Sequence, residues 1–421
     1  MSIHRVILRC AAFASCMFFM VPAFGQNASA VTSPPSTAGA VEQSVAPIND
    51  AAYTTAVAHL IKSARHSLRF MLYQARYYGE YPDTATNAWV DDLIAARARG
   101  VDVQVIVDTG DWNPSMKNDY NLDYVDRLTT AGIRIWEDSE SVVSHQKVIL
   151  VDDTITLVAS NNWSYYSLAK NNEVAVVVQS RPLNAWFVRY FEERKAEGRP
   201  RANVNAEVKP TGRASVTKKD LAGFDWMPFD RVDPIPNRLF YPAIHEAFIH
   251  ARESVTVLQR SLTMYNAAPR GDVRAQLPLG PASETNALVE DLVAIQKRGV
   301  KVTVILDNNE GMDDPDNDVT AGYLMARGVS VFRDSLTTQT HAKLVVVDDD
   351  IAVVGSTNWT RPALEDGNEA SVMLHGRAIN KVYRDYVTSI LRTSAPYQVI
   401  SQSIWDSPTT TSQKKTPKAA D

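Results

Sequence analysis

An internal duplication constrains this chain more than any other feature of the sequence. Residues 86–108 match residues 285–307 at an offset of 199 positions, and residues 132–138 match residues 328–334 at an offset of 196. A solenoid repeats every few dozen residues, so a period of almost half the chain indicates a duplicated domain. The 421 residues are enough for two such domains, each with a core of its own.

Each copy alternates helical and strand patterns. Residues 88–99 carry apolar side chains at helical spacing and stop at Gly100, and residues 101–107 form a β-branched run typical of a buried strand. Residues 286–298 and 300–306 repeat the pattern. This alternation predicts an α/β fold in which helices cover the faces of a sheet.

The amino terminus differs from the repeats. Arg5 and Arg9 precede an apolar stretch, and Ala23 and Gly25 are small residues at the positions that a signal peptidase reads. The pattern predicts a signal peptide at residues 1–25, cleavage near residue 25, and a secreted or periplasmic protein; an uncleaved anchor is the alternative.

Composition divides the rest of the chain. Polar low-complexity stretches predict a flexible leader and a disordered tail, and a proline-rich stretch predicts a linker between the repeats. The predicted divisions are a leader at 26–47, a first repeat at 48–197, a linker at 198–237, a second repeat at 238–406 and a tail at 407–421.

Cysteine content and charge limit the chemistry. Both cysteines, Cys10 and Cys16, lie in the predicted signal, so the mature chain would have no disulfide, thiol nucleophile or Cys-ligated metal. Cleavage would leave 41 Lys and Arg against 48 acidic residues, a net charge of −7. That field disfavours a polyanion such as DNA, although a local basic patch could still attract one.

The strongest functional signal comes late in each copy, where the same six polar residues recur in the same order. In both copies 28 residues separate the histidine from the glutamate. One such pattern would carry little information, but two at equivalent positions indicate a site. The first set is His145, Lys147, Asp152, Ser160, Asn162 and Glu173; the second is His341, Lys343, Asp348, Ser356, Asn358 and Glu369.

This set suits cleavage of a phosphodiester without a metal or another cofactor. One histidine would attack phosphorus to give a phosphohistidine, and the other would protonate the leaving alcohol and then activate water or an acceptor alcohol. Glu173 and Glu369 would each hold a histidine ring in one tautomer. The two lysines and the Ser-x-Asn residues would clamp the non-bridging oxygens: Lys147, Lys343, Ser160, Asn162, Ser356 and Asn358. Because the motif residues lie two apart, each pair is predicted to share one face of a strand.

These motifs resemble the signature of the phospholipase D superfamily, over residues 52–391. The resemblance implies two pseudo-symmetric α/β/α repeats packed face to face, with one site in the cleft between them. It also implies that His145 is the nucleophile and His341 the general acid, and that Asp152 and Asp348 are structural. Ala159 departs from the family's glycine, and its methyl group is expected to crowd the backbone near the phosphate.

The leading hypothesis is a monomeric hydrolase that cleaves the distal phosphodiester of glycerophospholipids at a membrane surface. It would release phosphatidate and the head-group alcohol, with possible transphosphatidylation to another alcohol. The predicted export, the acidic charge and the tyrosines after the first strand motivate it. A secreted metal-independent endonuclease is the alternative, because the motif recognises phosphate rather than its substituents. The intact site argues against a silent binding module.

Overall fold

The computed structural model describes residues 43–110, 119–209, 211–264, 283–307, 316–335 and 337–398. The predicted signal peptide at 1–25, the predicted tail at 407–421 and residues 26–42 of the predicted leader lie outside these ranges. The described chain is an α/β fold with two repeated halves, as the sequence predicts. Helix α2 (Ala85–Ala98) and strand β3 (Asp102–Val107) lie within three residues of their predicted bounds.

The first half forms a mixed sheet of eight strands. They are β1 (Ser44–Pro47), β2 (Ser67–Leu72), β3, β4 (Arg134–Glu137), β5 (Lys147–Val151), β6 (Ile155–Ala159), β7 (Ala175–Gln179) and β8 (Arg199–Ala202). The α-helices described in this half are α1 (Ala51–Ser63), α2, α3 (Leu122–Thr130), α4 (Tyr165–Ala169) and α5 (Arg181–Glu197). The strand order is β1-β7-β6-β5-β2-β3-β4-β8, with β2, β3 and β4 parallel and the other pairs antiparallel.

The second half forms a second eight-stranded sheet with the equivalent order, β9-β15-β14-β13-β10-β11-β12-β16. Its strands are β9 (Arg231–Pro234), β10 (Ser254–Gln259), β11 (Lys301–Leu306), β12 (Ser330–Arg333), β13 (Lys343–Val347), β14 (Ile351–Gly355), β15 (Ser371–His375) and β16 (Ala395–Pro396). Its described α-helices are α6 (Phe240–His250), α7 (Glu284–Lys297), α8 (Asp316–Met325) and α9 (Arg377–Leu391), and a π-helix spans Pro362–Asp366.

Three hydrophobic clusters organise the two halves. One cluster lies within the first half and includes α1 and α2, and a second lies within the other half and includes α6 and α7. The third cluster joins the halves: Met71 of β2 and Leu258 of β10 belong to it, together with apolar residues of α5 and α9. Because alternate residues of a strand face opposite sides, each sheet contributes one face to its own half and the other to this shared cluster.

Two predicted boundaries are wrong, and edge strands explain both. Residues 44–47, assigned to the flexible leader, form β1 and pair with β7. The predicted linker at 198–237 contributes β8 to the edge of the first sheet and β9 to the edge of the second. Each of these strands contains a proline, which an edge strand tolerates because only one of its sides must donate N–H groups to a neighbour. The proline content therefore suggested loops in segments that in fact form the edge strands of the two sheets.

None of the helices in the described residues combines the length and the apolar character that a membrane span requires.

Candidate active site

The two motif histidines lie just before β5 and β13, two central strands, at the starts of those strands. Because β5 runs antiparallel to β2, Lys147 at its start pairs with Leu72 at the end of β2, and Lys343 pairs with Gln259 of β10 in the same way. The histidines precede these strands, and Ser160 and the residues after it follow β6, so the motif pairs do not lie within one strand as predicted; that the members of each pair share a face stays a prediction. Loops at the strand ends carry the site.

Backbone hydrogen bonds cross between the halves next to each histidine. His145 N–H donates to the carbonyl of Asn368 at 2.8 Å, and His341 N–H donates to the carbonyl of Asn172 at 2.9 Å. Each asparagine therefore forms a short parallel bridge with the segment before the other half's histidine. The next residue after each asparagine is a motif glutamate, so these bridges place each glutamate beside the histidine of the opposite half.

The histidine–glutamate pairs are consequently crossed. His145 Nδ1 lies 2.9 Å from Glu369 Oε1, and His341 Nδ1 lies 3.0 Å from Glu173. Carboxylates accept hydrogen bonds, so Nδ1 of each ring carries the proton and the Nε2 lone pair is left for chemistry. Each half supplies the histidine of one pair and the glutamate of the other.

The motif serines contact the glutamates. Ser160 Oγ donates to Glu173 Oε2 at 2.5 Å, and Ser356 Oγ donates to Glu369. Both serines are fully buried, and each also accepts a backbone N–H, so their hydroxyls are occupied. In this structure the two serines orient the carboxylates instead of offering the phosphate contacts predicted for them.

The motif asparagines keep unused hydrogen-bonding capacity. Asn162 and Asn358 are only partly buried, while the side-chain oxygen of each is buried without a hydrogen-bond partner. The predicted contact of these amides with phosphate oxygens would use their Nδ2 donors, and it stays a prediction.

The two lysines are deeply buried beside the histidines. Lys147 Nζ donates to the carbonyl of His145, and Lys343 Nζ donates to the carbonyl of His341 at 2.5 Å. Tyr73 packs against the first pair: its ring centroid lies 4.7 Å from that of His145 and 4.8 Å from Lys147 Nζ. The lysines therefore place their amino groups close to both imidazoles.

Burial changes the protonation of these groups. It lowers the pKa of His145 to about 4 and the pKa of His341 to about 3, against the opposing effect of their glutamates. It also lowers the pKa of Lys147 to about 7 and the pKa of Lys343 well below its ordinary value. The resting site therefore holds two neutral imidazoles. The positive charge of Lys343 is among the causes that lower the pKa of His145, which indicates that the two half-sites converge.

The motif aspartates lie at the far ends of the same strands. Asp152 has φ 51° and accepts the backbone N–H groups of residues 65–67 and of Val216. Asp348 has φ 47° and accepts those of residues 252–254. These contacts fix the turns that lead into β2 and β10, which is the structural role that the resemblance implies.

Ala159 does not crowd the site, contrary to the expectation. It pairs with Ala175 and is buried in the first-half core, and the hydroxyl of the next residue makes the same glutamate contact in both halves. At the equivalent Gly355, which pairs with Ser371, an added Cβ would lie 2.1 Å from Ser371 Oγ and 2.4 Å from a backbone oxygen. The halves therefore differ in the residue opposite, and the methyl group fits only in the first.

Sequence reasoning missed residues that support the site from the opposite half. Tyr386 Oη has two acceptors in hydrogen-bond range, Asp50 Oδ1 at 2.9 Å and the carbonyl of Glu173, for its one proton. Tyr190 Oη likewise has Asn237 Oδ1 at 2.8 Å and the carbonyl of Glu369. Tyr73 and Arg260, directly after β2 and β10, were also missed as an equivalent pair. Because their residue types differ, matching identical letters between the repeats could not find them. No group of three or more potential metal ligands occurs within the part of the chain that the structure describes.

Comparison with known proteins supports this organisation. The model of a family described as "Cardiolipin synthase, PLD-like domain" matches residues 57–195 and 276–391, one segment in each half. Cardiolipin synthase B of Escherichia coli K12 is 23% identical over 318 residues, which cover 71% of this chain and 69% of that protein. The mitochondrial cardiolipin hydrolase of Xenopus laevis is 33% identical over 98 residues; the match covers 23% of this chain and spans less than half, 45%, of that relative.

A solved structure shares the fold. The phosphatidylserine synthase of Haemophilus influenzae Rd KW20 matches with a TM-score of 0.59 and 14% identity, covering 84% of this chain and 87% of that one. At this identity the likeness concerns the fold alone.

Proposed function

This chain belongs to the phospholipase D superfamily, in the family described as cardiolipin synthase, PLD-like domain, and from that premise we propose that it cleaves the distal phosphodiester of glycerophospholipids. Phosphatidate and the head-group alcohol are the products of hydrolysis. An acceptor alcohol in place of water gives transphosphatidylation by the same intermediate.

The crossed histidine–glutamate pairs carry the proposal. In the first step His145 Nε2 forms a bond to phosphorus, the bond from phosphorus to the head-group oxygen breaks, and protonated His341 gives its proton to that oxygen. In the second step His341 takes a proton from water or an acceptor alcohol, whose oxygen attacks phosphorus and releases His145. Each glutamate stabilises the imidazolium form of its partner during these steps.

The buried lysines support this chemistry electrostatically. Lys147 and Lys343 lie beside the rings that exchange protons and bond to phosphorus, and charges in a water-poor site act strongly on a developing negative charge. Binding of an anionic phosphodiester also favours the imidazolium form of His341, which burial disfavours in the resting site. The substrate thus helps to protonate its own general acid.

The printed names of the relatives favour a lipid substrate. One is a cardiolipin synthase and another a cardiolipin hydrolase, so both lipid transfer and lipid hydrolysis occur among proteins similar to this chain. Phosphatidyl transfer to water or to an alcohol differs only in the acceptor. We propose that a phospholipid at a membrane surface is the partner of a monomeric enzyme.

The test uses purified full-length protein with phosphatidylcholine, phosphatidylethanolamine and phosphatidylglycerol in mixed micelles containing EDTA. Phosphatidate should appear, short alcohols should divert it to phosphatidyl-alcohols, and His145→Asn should abolish both products. The His341→Asn variant should also lose both products, because the first step lacks its acid and the second step lacks its base. If the wild-type protein turns over none of these lipids, the proposal is wrong, and EDTA-resistant cleavage of plasmid DNA would then favour the endonuclease.

We also propose export with cleavage near residue 25, on the basis of the basic start, the apolar stretch and the small residues that follow. Mass spectrometry of the protein recovered from periplasm and medium should find a new amino terminus near residue 26. Recovery of the intact chain from membranes would contradict this.

A further inference from the structure

The two halves differ at one position that adjoins the active site. Tyr73 in the first half and Arg260 in the second each directly follow the strand residue that pairs with the catalytic lysine of that half, Lys147 or Lys343. An aromatic side chain therefore stands at one pseudo-symmetric position and a permanent cation at the other.

The backbone holds the two residues alike. Asn121 Nδ2 donates to the carbonyl of Tyr73 at 3.0 Å, and Asn317 Nδ2 donates to the carbonyl of Arg260 at 2.9 Å. The side-chain oxygen of each asparagine also accepts the N–H group two residues further along. The side chains of Tyr73 and Arg260 thus leave the backbone from equivalent points.

The position of Tyr73 in the first half indicates the direction in which Arg260 extends in the second. The Tyr73 ring contacts His145 and lies near Lys147 Nζ. Two residues earlier, Met71 and its counterpart Leu258 both belong to the cluster between the halves. Side chains two apart share a face, so Arg260 extends towards the same cleft from the second half.

Arg260 is a cation of this cleft without an acidic partner of its own. It is partly exposed, and among the described residues no carboxylate forms an ion pair with it. Glu369 is occupied by a histidine and a serine, and Glu173 by a histidine and two serines. Burial is the main cause of the lowered pKa of His341 and of Lys343, and the charge of Arg260 lowers both further, which agrees with its placement.

We propose that Arg260 forms a second anion-binding subsite beside the scissile phosphate, which takes a non-scissile carboxylate or phosphate of an anionic head group. The planar guanidinium donates two parallel hydrogen bonds to either oxyanion, and a neutral or cationic head group cannot replace these bonds. The subsite makes the pseudo-symmetric cleft asymmetric and favours one orientation of the lipid. This inference rests on the proposed function in that its ligand is a phospholipid head group.

The experiment compares wild type, Arg260→Gln, Arg260→Lys and Arg252→Gln. Arg252 precedes β10 at the other end of the strand and is exposed, so its replacement makes the same change of charge away from the cleft. Phosphatidylcholine, phosphatidylserine and cardiolipin in mixed micelles present no second anion, a carboxylate and a second phosphodiester, respectively. Steady-state assays give kcat and KM for each lipid.

For Arg260→Gln we expect KM to rise about 10- to 100-fold on phosphatidylserine, on cardiolipin or on both, the range of a charged hydrogen bond. KM on phosphatidylcholine should stay unchanged, Arg260→Lys should retain part of the preference, and Arg252→Gln should behave as wild type. A rise in KM on phosphatidylserine identifies the carboxylate as a ligand, and a rise on cardiolipin identifies the second phosphate. The proposed subsite is wrong if Arg260→Gln raises KM equally on all three lipids, if it changes only DNA cleavage, or if it leaves KM unchanged on every lipid.

A binding measurement separates this inference from the proposed function. In the His145→Asn background, which removes turnover, calorimetric titration compares glycerophosphoserine with glycerophosphocholine. Tighter binding of the serine compound that is lost in Arg260→Gln supports the subsite even if the wild-type enzyme cleaves no phospholipid. Equal binding of the two compounds, or a preference that survives Arg260→Gln, overturns it.

Discussion

His145 Nδ1 lies 2.9 Å from Glu369 Oε1, although 224 positions separate the two residues and they belong to different halves of the duplication. The reciprocal contact joins His341 to Glu173, so neither half contains a complete histidine–carboxylate pair. Each motif histidine ring is oriented by a carboxylate only when both halves are folded and packed. The geometry of the site therefore depends on the packing between the halves as well as on the site residues themselves.

Exchange of a glutamate should affect the histidine of the opposite half. We expect Glu369→Gln and Glu173→Gln each to lower kcat by about 10²- to 10⁴-fold, because the ring loses its orientation and its charge partner. Nitrogen-15 NMR of the imidazoles should show the His145 signals shifted in Glu369→Gln and unchanged in Glu173→Gln. The opposite assignment would contradict the crossed pairs. The signals are assigned with His145→Asn and His341→Asn, because each variant lacks the signals of the imidazole that it removes.

The pH dependence of kcat/KM should be centred below pH 6.5. The proposed reaction needs one neutral and one protonated histidine, and the limbs of the profile report the pKa values of the free enzyme. Burial lowers the pKa of His145 to about 4 and that of His341 to about 3, so both limbs are expected below the ordinary histidine value. A profile of kcat/KM centred at or above pH 7 would show that the free site does not keep its imidazoles neutral.

Gly355→Ala should destabilise the protein by overpacking, and Ala159→Gly should destabilise it by loss of a packed methyl group. The new methyl group at Gly355 meets Ser371 Oγ and backbone atoms, and overpacking of this kind costs about 1–3 kcal/mol. The reverse exchange in the first half, Ala159→Gly, adds backbone freedom and removes one buried methyl group, each worth about 0.5–1 kcal/mol. Urea unfolding measures both. Equal stability of Gly355→Ala and wild type would mean that β14 and β15 separate more easily than the packing indicates.

Asp152 should contribute to stability rather than to chemistry. Asp152→Ala leaves four backbone N–H groups without their acceptor, and we expect a loss of at least about 3 kcal/mol. Asp152→Asn keeps one acceptor oxygen and tolerates the positive φ, so its loss should be smaller. Urea unfolding gives these differences, and kcat per folded molecule should stay near wild type. A large fall in kcat at full stability would instead assign Asp152 a part in the reaction.

The sequence by itself determined the duplication, the α/β class and the residues of the site. A buried strand and an amphipathic helix leave patterns within a dozen residues, which is why β3 and α2 were predicted with nearly correct bounds. The motif residues were found because the duplication repeats them with the same spacing. These signals are local, and a chain carries them whether or not its halves pack together.

Tertiary structure alone decided which glutamate serves which histidine. The equal spacing of 28 residues within each half is compatible with pairing inside a half or across the interface. The backbone bridges from Asn172 and Asn368 choose the crossed arrangement. Likewise, proline content could not reveal that β8 and β9 complete sheet edges, and identical letters could not reveal that Tyr73 and Arg260 share one position. In each case the deciding contact joins distant residues, and its geometry exists only after the two sheets have formed and packed.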